Sequence, residues 1–231
     1  MFKTSFSAGV ILVSGLVGLS PAQASTFAIY DPIAGATNIS LTGLTLSASS
    51  GVNFQYEVPA LMGLGVLSST MTLSATETGA VAFGPIALGS FDGTFAITYA
   101  GPTVTAGGVT VTTGQTLLDG SFLGSVFSGY GSTGSLQDSV AAGGLVTFNN
   151  NALLTFSPIA DQGLSLSLTG INPVVTVSAG KLSPFDAVSQ GQFTASVTAV
   201  PEPGRWALML VGAGVIGGVA RRRGTATASM A

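Results

Sequence analysis

The chain has 231 residues, of which only 6% are charged, and it contains no cysteine and no histidine. Ordinary soluble domains carry roughly 25% charged residues, and the missing side chains exclude disulfides, thiol nucleophiles, Cys/His metal sites and a histidine proton shuttle. Between Ser25 and Val200 the acids Asp31, Glu57, Glu77, Asp92, Asp119, Asp138, Asp161 and Asp186 face one base, Lys181. Eight minus one is a net charge of minus seven, which repels phosphate backbones and excludes nucleic acid as a partner.

The N-terminus reads Met1-Phe2-Lys3, then a largely apolar stretch from Val10 to Leu19, then Ser20-Pro21-Ala22-Gln23-Ala24. A positive start, an apolar middle too short to span a bilayer, and small residues at Ala22 and Ala24 make residues 1–24 a secretory signal peptide. Signal peptidase is expected to cut after Ala24.

Residues 25–199 read as one β-rich secreted domain. Leu41-Thr42-Gly43-Leu44-Thr45-Leu46-Ser47 and Met71 to Thr76 alternate apolar and hydroxyl side chains with period two, the mark of a half-buried strand. Further strands are expected at Val52 to Val58, Gly93 to Tyr99, Gly108 to Thr112, Leu145 to Phe148, Leu153 to Phe156, Leu164 to Leu168, Val174 to Val177 and Gln192 to Thr198. Glycine, proline and asparagine separate most of them. Without intervening amphipathic helices, this pattern points to an antiparallel, jelly-roll-like β-sandwich, with Phe91, Phe95, Phe122, Phe127, Phe148, Phe156 and Phe193 in its core. The fragments Gly89-Ser90-Phe91, Gly93-Thr94-Phe95, Gly120-Ser121-Phe122 and Gly191-Gln192-Phe193 echo one another, and this makes a β-solenoid the alternative. Their irregular spacing argues against it, because a solenoid needs a fixed period.

No catalytic or metal-ligating set emerges, and no cofactor is expected. A glycosidase needs two carboxyls about 5 Å or about 6.5–9.5 Å apart. Asp92-Gly93 and Asp119-Gly120 read first as turns, and Glu57 and Glu77 as solvated groups near strand ends. The run Asn149-Asn150-Asn151 offers oxygens, but not the spaced pattern of a calcium loop.

The C-terminus carries the most specific signal. Val200-Pro201-Glu202-Pro203-Gly204-Arg205-Trp206 leads into an apolar run from Ala207 to Ala220, then Arg221-Arg222-Arg223. A helix over 204–220 is close to the length that crosses a hydrocarbon core. Trp206 suits the interface, and the three arginines hold the C-terminal end on the cytoplasmic side. Gly214 and Gly218 form a small-x-x-x-small face on which another membrane helix can pack closely.

This order resembles the PEP-CTERM sorting signal of Gram-negative bacterial envelope proteins, over residues 200–224, with 225–231 as a cytoplasmic tail. The resemblance implies that Pro201, Glu202, Pro203 and Trp206 form the element recognised by exosortase, a multi-spanning membrane protease. It also implies an inner-membrane-anchored precursor that is cut and released to the cell surface or an exopolysaccharide (biofilm) matrix. The expected role is structural or adhesive rather than enzymatic. A carboxylate-dependent polysaccharide-active enzyme, or a carbohydrate- or calcium-binding module, is the alternative.

Overall fold

A computed structural model describes residues 24–33, 38–139, 144–156 and 161–199. The sorting residues Pro201, Glu202, Pro203 and Trp206, the glycines Gly214 and Gly218, the arginines Arg221, Arg222 and Arg223, and Ala22 of the signal peptide lie outside the described residues, as does the helix expected over 204–220.

Sixteen strands follow one another among the described residues. They are β1 (Ser25–Pro32), β2 (Ile39–Thr42), β3 (Thr45–Tyr56), β4 (Leu67–Phe83), β5 (Ile86–Tyr99), β6 (Val104–Ala106), β7 (Val109–Val111) and β8 (Thr116–Tyr130). Then come β9 (Thr133–Ser139), β10 (Leu145–Phe148), β11 (Leu154–Phe156), β12 (Gly163–Asn172), β13 (Val177–Ser178), β14 (Lys181–Leu182), β15 (Phe185–Ala195) and β16 (Val197–Ala199). A 3-10 turn, Met62–Leu64, lies between β3 and β4. No helix among the described residues is long and apolar enough to cross a membrane.

Eight of these strands form a closed antiparallel ring in the order β1-β3-β4-β5-β8-β9-β12-β15, with β15 returning to β1. Ring order equals chain order, which defines an up-and-down barrel. The all-β, antiparallel expectation therefore holds, and the solenoid alternative does not. The hydrogen bonding runs around the ring and does not divide the strands into the two facing sheets expected from sequence.

Two ring positions are each built from two strands in succession. β1 pairs with Val52 to Tyr56 of β3, and β2 takes over against Thr45 to Ser47 of the same strand. In the same way β9 covers Val126 to Tyr130 of β8, and β10 covers Gly120 to Leu123. Leu41 to Ser47 is thus not one strand. Gly43, at φ +64°, turns the chain between Thr42 and Thr45, a conformation glycine adopts without strain.

Alternation decides what fills the ring. Leu67, Met71, Leu73 and Ala75 of β4 point inward and are buried, while Ser68, Thr72, Ser74 and Thr76 point out. An eight-stranded ring leaves just enough room inside for side chains, and here aromatics meet across it. Phe95 of β5 stacks on Phe193 of β15 at 5.4 Å, and Phe127 of β8 on Phe185 of β15 at 5.5 Å. Tyr56 of β3 reaches across to donate to the Leu117 carbonyl at 2.8 Å. The expected core phenylalanines are buried, Phe156 only partly. Apolar groups inside and hydroxyls outside is the reverse of a lipid-facing barrel.

Candidate functional site

Because the lumen is crossed by stacked rings, any binding chemistry has to be sought on the outer wall and among the few charged groups. The outer wall is a hydroxyl surface. Register places Ser40, Ser47, Ser74, Thr94, Ser121 and Thr147 in one row across β2, β3, β4, β5, β8 and β10. Serine and threonine satisfy a solvated pleat without charge, which is how a chain so poor in charged residues covers a barrel.

Six of the eight acids are engaged with the fold nearby. Asp92 Oδ1 accepts the Gly124 N–H at 2.7 Å, clamping a bulge where the β5 register on β8 shifts. Asp119 Oδ2 accepts the Asn149 side-chain amide at 2.6 Å, beside the backbone bond from Asn149 N–H to the Asp119 carbonyl. Asp161 accepts the Ser196 hydroxyl, and Glu57 the Gln55 amide. Asp31 and Asp186 are exposed on the outer wall.

Two of these placements correct the sequence reading. Asp92-Gly93 and Asp119-Gly120 lie inside strands β5 and β8, not in turns. A Cβ on Gly93 would strike Ala75 and the Ser74 carbonyl, and one on Gly120 would strike the Thr147 carbonyl and the Phe95 ring. Close approach inside the barrel, rather than a reversal of the chain, demands glycine there. Glu77 is a third correction. It points inward from β4 at 4% exposure, with Oε1 accepting the Leu182 N–H at 2.8 Å and Oε2 buried without a partner.

Asp138 is the other buried carboxyl, at 3% exposure. Its Oδ2 accepts the Ser125 hydroxyl at 3.0 Å, and its Oδ1 is buried without a partner beside Gly144. Burial raises its pKa above the ordinary carboxylate value, and the Ser125 hydrogen bond offsets part of that rise. Tyr30 and Tyr56 are raised far above the ordinary phenol value by the same desolvation.

The asparagine run serves the backbone. Asn150 Oδ1 accepts the Phe156 N–H, and Asn151 Oδ1 accepts those of Leu153 and Leu154. Among the described residues no three His, Cys, Asp or Glu side chains come together as a metal cluster. Four shallow depressions on the outer wall, of about 210 to 320 Å³, hold one acid each: Asp31, Asp119, Asp138 and Asp186. None of the four offers the carboxyl pair that glycoside hydrolysis requires.

Ala24 is the one residue of the expected signal-peptide site that is described, and it is exposed immediately before β1. Comparison with protein-family models, with curated proteins and with solved structures finds no match to this chain.

Proposed function

We propose that this chain is an exported structural or adhesive protein of the cell surface or extracellular matrix, delivered by a PEP-CTERM signal and processed by an exosortase. The order Pro201-Glu202-Pro203, Trp206, an apolar run and Arg221-Arg222-Arg223 at the C-terminus carries the reading. The signal-peptide pattern ending at Ala24 supports it, since it sends the domain to the same side of the membrane on which the arginine cluster of the C-terminal run would leave it.

The architecture supports the non-enzymatic half of the proposal. A lumen packed with aromatic rings gives no room to a substrate. Acids spread singly over the wall, most of them bonded to nearby backbone or side chains, are spent on holding the barrel. An outer wall rich in hydroxyls and sparse in charge suits residence in a hydrated polysaccharide matrix, to which it can hydrogen-bond.

The test is fractionation of the full chain carrying an epitope directly after Ala24, beside a version with Pro201→Ala, Glu202→Ala and Pro203→Ala. The native chain should leave the cytosol and appear shortened at the surface or in the medium, while the triple variant accumulates uncut in the inner membrane. Recovery of the native chain in the cytosol would overturn export, and equal shortening of both chains would overturn recognition through the Pro-Glu-Pro element.

A further inference from the structure

β4 outruns one of its neighbours. β3 pairs with it only as far as Thr45 opposite Thr76, whereas β5 stays paired to the tip, with Val81 opposite Leu88 and Phe83 opposite Ile86. Beyond Glu77 the backbone on the far edge of β4 is met among the described residues at one point, where the Ala80 N–H donates to the Gly180 carbonyl at 2.9 Å. Backbone groups alternate sides along a strand, so the N–H and carbonyl of Ala82 face that same open edge. Among the described residues no strand pairs with them.

The side chains at the tip are equally uncovered. Val81 is 58% exposed, Phe83 72% and Tyr130 63%. Ala87 lies opposite Gly129, which brings Ile86 level with Tyr130. Val81, Phe83, Ile86, Leu88 and Tyr130 thus form one apolar patch on a wall otherwise rich in hydroxyls. The segment from Thr78 to Phe83 contains no charge and no proline, the two devices that commonly protect an edge strand.

We propose that this edge pairs with the same edge of a second copy of the chain, in a two-fold interface centred on Ala82. Unserved ladder groups on an edge are completed by another strand. Antiparallel pairing about Ala82 sets that residue against its own counterpart through two N–H···O bonds. It also sets Val81 opposite the second copy's Phe83, twice, on the outer face, and such β-branched–aromatic cross-strand pairs are favourable. Two acidic barrels meet here without opposing carboxylates, because the segment is neutral and Glu77 is turned inward. The contact at Gly180 confines the pairing to the tip, so the interface is small and its affinity weak, on the order of micromolar or weaker. The inference rests on the barrel alone, whatever route delivers the protein.

The chain lacks cysteine, so Ala82→Cys supplies its only thiol. Directly opposed residues in a hydrogen-bonded antiparallel pair have Cα atoms about 5.5 Å apart, within disulfide reach. The full-length variant, extracted in mild detergent and oxidised, should give a covalent dimer on a non-reducing gel at several times the yield of Thr72→Cys, a control on the exposed hydroxyl wall. Adding Phe83→Ser to Ala82→Cys should lower that yield several-fold while leaving the thermal transition in place. A dimer yield no higher than the Thr72→Cys control overturns the proposal, as does a yield indifferent to Phe83→Ser. A thiol at position 82 that is protected from maleimide without forming dimer also overturns it, and shows that another segment or partner covers the edge.

Discussion

Asn38 uses its side-chain amide as a stand-in for a strand residue of β15's neighbour. Its Nδ2 donates to the Ser189 carbonyl at 3.1 Å, and its Oδ1 accepts the Ser189 N–H at 2.5 Å, while the Tyr30 hydroxyl bonds Ser189 Oγ at 2.9 Å. The pairing is needed because the first ring position breaks between β1 and β2, which would leave both Ser189 ladder groups buried and empty. Asn38→Ala should therefore cost about 2–6 kcal/mol, the sum of two buried groups left unsatisfied at about 1–3 kcal/mol each. Urea denaturation measures it. A loss below about 0.5 kcal/mol, the usual range for a surface change, would show that the break is not closed by this side chain.

Gly191 and Tyr30 make a second dependence. A Cβ on Gly191 would run into the Tyr30 ring, and one on Gly120 into the Thr147 carbonyl and the Phe95 ring, whereas a Cβ on Gly79 meets nothing within 4 Å. Gly191→Ala and Gly120→Ala should each destabilise by about 1–3 kcal/mol, the scale of core overpacking. Gly79→Ala should leave the denaturation midpoint within error, and all three variants are read by the same melt. Equal behaviour of the three would mean that the lumen is looser than its stacked rings imply.

Those glycines also show what was legible in the sequence. The Gly-x-Phe echoes at Gly89, Gly93, Gly120 and Gly191 are visible by eye, and they resemble the coils of a solenoid. In the barrel, glycine and phenylalanine both face inward, two residues apart; the bare backbone gives space to a ring at Gly89, Gly120 and Gly191, and to Ala75 and the Ser74 carbonyl of the neighbouring strand at Gly93. Period-two alternation located parts of β3, β4, β5, β12 and β15 but missed β1, β8 and β9, and the strand expected at Val174 to Val177 is a strand only at Val177; the phenylalanines located the core, because burial of large rings is a local pattern. Ring closure was not legible, since β15 meeting β1 joins residues that lie far apart in the chain, and nothing local distinguishes a closing strand from an edge. Glu77 was misread for a related reason. Its burial depends on a backbone N–H supplied by Leu182, 105 residues away.

The buried carboxyl of Asp138 should leave a signature in the pH dependence of stability. Its folded pKa lies above the unfolded value of about 3.9, so the folded barrel holds the proton more tightly. The stability linked to this group is fully present below about pH 3.9 and is lost as pH rises through the folded pKa. Asp138→Asn removes that dependence. The difference in urea midpoint between variant and native protein should favour the variant at pH 7 and shrink or reverse toward pH 4. A difference that stays constant over that range would count against a desolvated carboxylate.

Glu77 pins a distant hairpin to the wall. Its Oε1 accepts the Leu182 N–H, the Ala80 N–H donates to the Gly180 carbonyl, and the Leu182 side chain lies against Gly89, so β13 and β14 are seated over β4 and β5. Removing the carboxyl leaves the Leu182 amide without its acceptor, while an amide side chain at position 77 still offers a carbonyl oxygen. Glu77→Ala should therefore raise hydrogen exchange at Leu182 by about ten-fold or more, one such bond being worth about 1.5–3 kcal/mol when its acceptor is charged. Glu77→Gln should exchange far more slowly than Glu77→Ala, and amides in β12 should be unchanged in both. Uniform acceleration across the barrel would mean that Glu77 supports global stability and not the seating of the hairpin. Unchanged exchange at Leu182 would mean that the hairpin is held by the Ala80–Gly180 bond and Leu182 packing on Gly89, without Glu77.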